Sequence, residues 1–144
     1  MHSMIIRGGI LALAALLGTS SVAVAEVMKF KASMDASQEV PANDSKAKGS
    51  ADLAYDTTSK ELSWTITFDG LTGPAVAAHF HGPAEPGKNA GVALPLGQGT
   101  LTSPVTGKAT LTDAQAADLT PGRWYVNVHT AANKGGEIRG QVTK

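Results

Sequence analysis

The chain has 144 residues, with 12 basic and 12 acidic side chains, four histidines and no cysteine. That is the length of one domain, and a balanced charge with no basic run excludes the electrostatic footprint of nucleic-acid or membrane-surface binding. Without thiolates, the fold must hold by its core alone, and any metal site must draw on His, carboxylate or Met.

Residues 1–25 read as a signal peptide. Arg7 supplies the positive start, Ile10 to Leu17 the uncharged apolar core, and Ala23-Val24-Ala25 the small-x-small cleavage pattern before Glu26. The apolar run is too short for a membrane span. Residues 26–144 are therefore expected to be a soluble, exported β domain, periplasmic or secreted, with 11 basic against 12 acidic residues once Arg7 is set aside. No cysteine follows the cleavage site to carry a lipid anchor.

From Met28 to Met34, apolar and polar residues alternate with the period of a half-buried strand. Gln38 to Asp44 is a turn-rich loop. Ser50 to Tyr55 and Leu62 to Phe68 are two further strands joined by Asp56-Thr57-Thr58-Ser59, a hairpin. After the Gly70–Pro74 turn, Ala75 to His81 reads as a strand, with Val76, Ala78 and Phe80 on one face and Ala77, His79 and His81 on the other. Gly82 to Gly99, rich in Gly and Pro, is expected to be the longest irregular stretch, and short strands are expected at Leu101 and from Val105 to Leu111. Thr112 to Leu119 is the one good helix: Thr112 and Gln115 form a capping box, and Pro121-Gly122 ends it. Trp124, Val126 and Val128 alternate with Tyr125, Asn127 and His129, and Glu137 to Val142 returns as the last strand. The fold expected is all-β and antiparallel, a sandwich or Greek-key barrel of seven or eight short strands with one short helix.

His2 lies in the signal segment, so every histidine of the mature chain belongs to one constellation: His79, His81 and His129. In a strand, residues two apart share a face, so His79 and His81 project together, and a neighbouring strand can bring His129 beside them. Three neutral imidazoles suit copper or zinc, with copper ahead in the general affinity order. The competing reading is three partly exposed strand histidines with no ligand. Met28 and Met34, at alternate strand positions, read as core rather than as soft ligands. No fourth protein ligand stands out. Tyr125 and Asn127 share the His129 side and either support the ligands or serve a plain packing role. Arg139, on the face expected for Glu137 and Gln141, is either a cation beside the metal that attracts a small anion or a surface residue paired with Glu137. No nucleophile elbow, P-loop or dinucleotide fingerprint is present.

At Ala78-His79-Phe80-His81-Gly82-Pro83-Ala84, Gly91-Val92, Leu111 to Leu119, Trp124 to Thr130 and Gly136 to Gln141, the chain resembles the CHRD (chordin) domain family, over almost all of the mature sequence. The resemblance implies an immunoglobulin-like β fold and little about activity. A looser resemblance joins the H-x-H strand, the later lone His and the C-terminal Arg to the copper half of the Cu/Zn superoxide dismutase site. It implies His79, His81 and His129 as copper ligands, Arg139 as the catalytic guide for superoxide, and a copper-only enzyme, since a bridging histidine, a zinc ligand set and a disulfide are all missing. The other readings are a copper carrier, a β module that binds a protein or matrix partner, and, ranked last, a zinc hydrolase.

Overall fold

The computed structural model describes residues 18–22 and 24–144. Most of the leader-like segment therefore lies outside the described residues. Among those described, no helix is long and apolar enough to cross a membrane.

Strand β1 (Val27–Asp35) turns Phe30, Ala32 and Met34 inward and its lysines outward, as the period-two pattern requires. It pairs with β2 (Lys48–Asp56), which forms the expected hairpin with β3 (Glu61–Asp69). Strand β4 (Ala75–His81) lies between β5 (Val92–Leu101) and β7 (Tyr125–Thr130). Strand β6 (Val105–Thr110) pairs with β3, and β8 (Ile138–Gln141) bridges β7 to β1. All eight strands form one antiparallel sheet in the order β5-β4-β7-β8-β1-β2-β3-β6. The two end strands follow each other in sequence, and the sheet curls into a nearly closed barrel. The fold class is thus the all-β one expected, with α1 (Asp113–Leu119) as the single α-helix among the described residues. Thr112 and Gln115 form the capping box read from the sequence, and Leu119 anchors the helix in the core.

Aromatic residues fill the barrel. Phe80 packs edge-on against Trp64, with centroids 5.9 Å apart, and stacks on Trp124 at 5.4 Å. Deleting one such ring costs about 3–5 kcal/mol, because the lost burial is compounded by the cavity left behind.

Two expectations fail, both around β4. Val76 is exposed, whereas Ala75, Ala78 and Phe80 are buried. Both neighbours of β4 shift register between Ala75 and Ala77, so a β-bulge absorbs one residue and turns Val76 outward. The irregular stretch is also shorter than expected, because β5 occupies residues 92–101 despite Pro95, Gly97 and Gly99. β5 is an end strand that bonds only to β4, and there a proline costs no ladder hydrogen bond on its free side.

Candidate metal centre

Strand β7 positions the site. All six of its residues are buried, although only Val126 and Val128 point to the apolar core. The outward face of Tyr125, Asn127 and His129 is covered by the loop after β4 and by the segment after β1. Asn89 of the first loop donates through Nδ2 to the carbonyl of Val40 in the second, at 3.0 Å. Gly82 lets β4 end against β7: a Cβ there would lie 2.7 Å from the Arg123 carbonyl and against the Trp124 indole.

The register places His79 opposite Asn127, His81 opposite Tyr125, and Ala77 opposite His129. The three imidazoles meet on this covered face, each offering one ring nitrogen within 4.8 Å of the others. His81 and His129 are buried, and His79 is half-buried at the open edge. His79 Nδ1 lies 3.0 Å from His129 Nε2. The remaining Nδ1 atoms face backbone carbonyls: that of His129 is 2.8 Å from the Lys134 oxygen, and that of His81 is 3.0 Å from the Ala90 oxygen. A carbonyl only accepts, so His129 Nδ1 carries hydrogen, whereas His81 has an acceptor at each nitrogen, the Ala90 carbonyl at Nδ1 and Asn127 Oδ1 at Nε2, each 3.0 Å away. Outer hydrogen bonds of this kind orient metal-binding histidines.

Electrostatics favours the neutral form of His79 and His81. The His79 pKa lies below its ordinary value, first through burial and then through the neighbouring His129 and His81. His81 is lowered too: burial outweighs its bonds to Ala90 and Asn127, and His129 and Arg139 add to the effect. Neutral imidazoles bind metal without first losing a proton. Two ligands at right angles with bonds of about 2.1 Å stand about 3.0 Å apart, the His79–His129 spacing. The residues therefore fit a copper or zinc ion.

The remaining residues of interest divide. Tyr125, on the strand between His81 and Arg139, stacks parallel to the His81 ring at 4.8 Å, and the Arg139 guanidinium lies 3.4 Å from its centroid. Arg139 is only 2% exposed; it donates to Asn89 Oδ1 at 2.9 Å and to the Lys88 carbonyl. It is neither a surface residue nor a partner of Glu137. Glu137 turns away, its carboxylate accepting from Ser45, Thr72, Thr130 and Asn133. Met34 is a core residue, and Met28 packs partly buried against the core.

Sequence reasoning missed Glu39. It sits in a loop with no periodic signal, yet it is buried, and its Oε1 has no hydrogen-bond partner among the described residues. Burial raises its carboxyl to about 7, against the lowering effect of Arg139 and of the Asn127 amide. The Gln38-Glu39 polar pair within an otherwise turn-like stretch was the only available hint.

The sequence profile of the CHRD domain matches residues 30–142, and the chain belongs to that family. Comparison with curated proteins and with solved structures finds no match.

Proposed function

We propose that this CHRD-domain protein is an exported copper protein that disproportionates superoxide. The observation that carries the reading is the convergence of His79, His81 and His129 within 4.8 Å, with two of the rings set by backbone carbonyls to aim Nε2 inward. Copper in such a site supplies a one-electron couple that oxidises one superoxide to dioxygen and reduces a second to hydrogen peroxide, consuming two protons from solvent.

The protein's part is binding, orientation and access. His81 and His129 hold fixed directions because their Nδ1 atoms are held at backbone carbonyls. His79 leaves one side of the centre open, the arrangement a small anion needs. Arg139 adds a positive charge behind Tyr125 and stiffens the stack against which His81 rests. The signal-like pattern of residues 1–25 supports export to the periplasm or medium.

A copper carrier is the second reading. It is favoured by the engagement of Arg139, whose donors go to Asn89 and the Lys88 carbonyl rather than to an incoming anion. Stopped-flow decay of superoxide on residues 26–144 separates the two, comparing apo protein, copper-loaded protein and a copper-treated His129→Ala variant. Fast decay that requires both copper and His129 supports the dismutase. Tight copper binding without decay supports the carrier, and no copper binding removes both.

A further inference from the structure

Arg139 carries a full charge into the covered face of β7, where it is only 2% exposed. Among the described residues it forms no ion pair, although burying a charge is costly unless it is paired or hydrogen-bonded. Its bonds go instead to one exposed segment: Nη1 donates to Asn89 Oδ1 at 2.9 Å, and Nη2 donates to the Lys88 carbonyl. Residues 85–89 are exposed throughout. A neutral bond from Asn89 Nδ2 to the Val40 carbonyl also ties them down, but charge-assisted bonds are about twice as strong. The guanidinium is therefore the main anchor of this segment.

The residue that follows Asn89 touches the histidines. The Ala90 carbonyl lies 3.0 Å from His81 Nδ1. It also accepts from the Tyr125 hydroxyl at 3.2 Å, and the Ala90 amide donates to that hydroxyl at 3.1 Å. Tyr125 in turn belongs to a stack, with the guanidinium 3.4 Å from its centroid and the His81 ring parallel to it at 4.8 Å. Strand β7 separates β4 from β8, so the three planes follow one another in strand order. One guanidinium thus reaches His81 by two routes, through the backbone of Lys88–Ala90 and through the Tyr125 ring. The stacking route involves no ring proton. The backbone route ends on Tyr125 as well as on His81, because both polar groups of Ala90 are tied to the phenol.

We propose that Arg139 is a positioning residue for His81: by pinning Lys88 and Asn89 and stacking on Tyr125, it holds Ala90 and the phenol ring against the imidazole. The inference rests on the metal reading of the histidines, and it assigns the guanidinium to the wall of the site rather than to an incoming anion. Lysine cannot substitute, because an ammonium has no planar face to stack and no rigid fork to span the Lys88 carbonyl and Asn89 Oδ1. His129 is held separately, by the Lys134 carbonyl. A fault in the brace should therefore reach His81 and leave His129 in place.

The test follows residues 26–144 without metal, by amide exchange at Ala90 and by the ring resonances of His81 and His129. The same protein is then loaded with one copper(II) for chelator competition and electron paramagnetic resonance. Asn89→Ala, Asn89→Asp and Arg139→Lys are compared with wild type. Asn89 is exposed, so its variants remain informative if Arg139→Lys does not fold. Asn89→Ala removes an acceptor of Arg139, and Ala90 exchange should quicken about 10-fold, the effect of losing one charge-assisted bond. The His81 resonances should move while those of His129 stay, and copper affinity should fall about 10-fold, as for the loss of an outer partner at a metal site. Arg139→Lys should behave the same way. Asn89→Asp keeps an acceptor for Arg139 and loses only the donor to Val40, so it should stay close to wild type in exchange and affinity. If Asn89→Asp is as impaired as Asn89→Ala, the Val40 bond holds the segment and the assignment is overturned. It is overturned equally if Asn89→Ala and Arg139→Lys leave Ala90 and His81 as in wild type. Loss of superoxide decay in Arg139→Lys, with exchange and copper spectrum unchanged, makes Arg139 an anion guide and also overturns it. If wild type binds no copper, the metal reading fails, while Ala90 exchange and the His81 resonances of the metal-free protein still decide whether Arg139 holds the ring.

Discussion

Glu137 offers the sharpest test of the energetics, because its buried carboxylate ties four separate segments together. Oε2 accepts from Ser45 Oγ at 2.9 Å and from the Thr72 amide at 3.0 Å. Oε1 accepts from Thr72 Oγ1, from Thr130 Oγ1 at 2.8 Å and from Asn133 Nδ2 at 3.0 Å. Burial alone would raise this carboxyl, but the donors together outweigh it and hold the pKa at about 2, against an ordinary 4.5. At about 1.4 kcal/mol per tenfold, that difference corresponds to about 3 kcal/mol of native stability. The folded pKa is depressed, so this stability is fully present above pH 4.5 and is lost as pH falls toward 2. In Glu137→Gln the new NH₂ must face one oxygen's set of donors, so the variant should lose about 3 kcal/mol at pH 6, or roughly 10 °C in melting temperature. Urea unfolding of both proteins between pH 2 and 7 measures this. Wild type should converge on the variant at the acid end. If the two curves instead stay parallel throughout, the hydrogen bonds to Glu137 do not set its ionisation, and the reasoning fails.

Glu39 works with the opposite sign. Its carboxyl is raised to about 7, so its protonated form adds stability below pH 4.5 that is lost as pH rises through 7. Glu39→Gln should therefore gain up to about 3 kcal/mol over wild type at pH 8 and little at pH 4, read from the same urea series. Gly136→Ala should be strongly destabilised, because Gly136 has φ +127° and its new Cβ would strike Glu39 and Asn127; thermal unfolding checks this. Thr112→Ala removes the acceptor of the helix cap and should cost about 1 kcal/mol with metal binding unchanged. Copper at a hundredfold excess over its dissociation constant should add about 2.7 kcal/mol to the folded state, measured by calorimetry, and His129→Ala should abolish the gain.

Much of the site was legible because it follows a local rule. Alternation alone placed His79 and His81 on one side of β4 and His129 on the matching side of β7, and the register brings them together. Asn127 and Tyr125 were found the same way. Arg139 was placed on the correct face, but its burial and its bonds to Asn89 and Lys88 depend on a loop 50 residues away in sequence. Glu39 was invisible for the same reason. Nothing in its own segment marks it as buried, and its surroundings come from β7 and β8.

The sequence by itself determined the strands whose side chains alternate between core and solvent, the capped helix, and the number of imidazoles available to the cluster. These are written in period and residue chemistry, which act over a few residues. Tertiary structure decided the bulge that exposes Val76, the strand drawn through Pro95 and Gly97, and the fate of the outward face of β7. On a free sheet that face would be solvated, and its polar residues would mean little. Here, distant loops close over it and leaving a polar group without a partner is costly, so burial turns Asn127 and Glu39 from surface residues into enclosed neighbours of the histidine cluster.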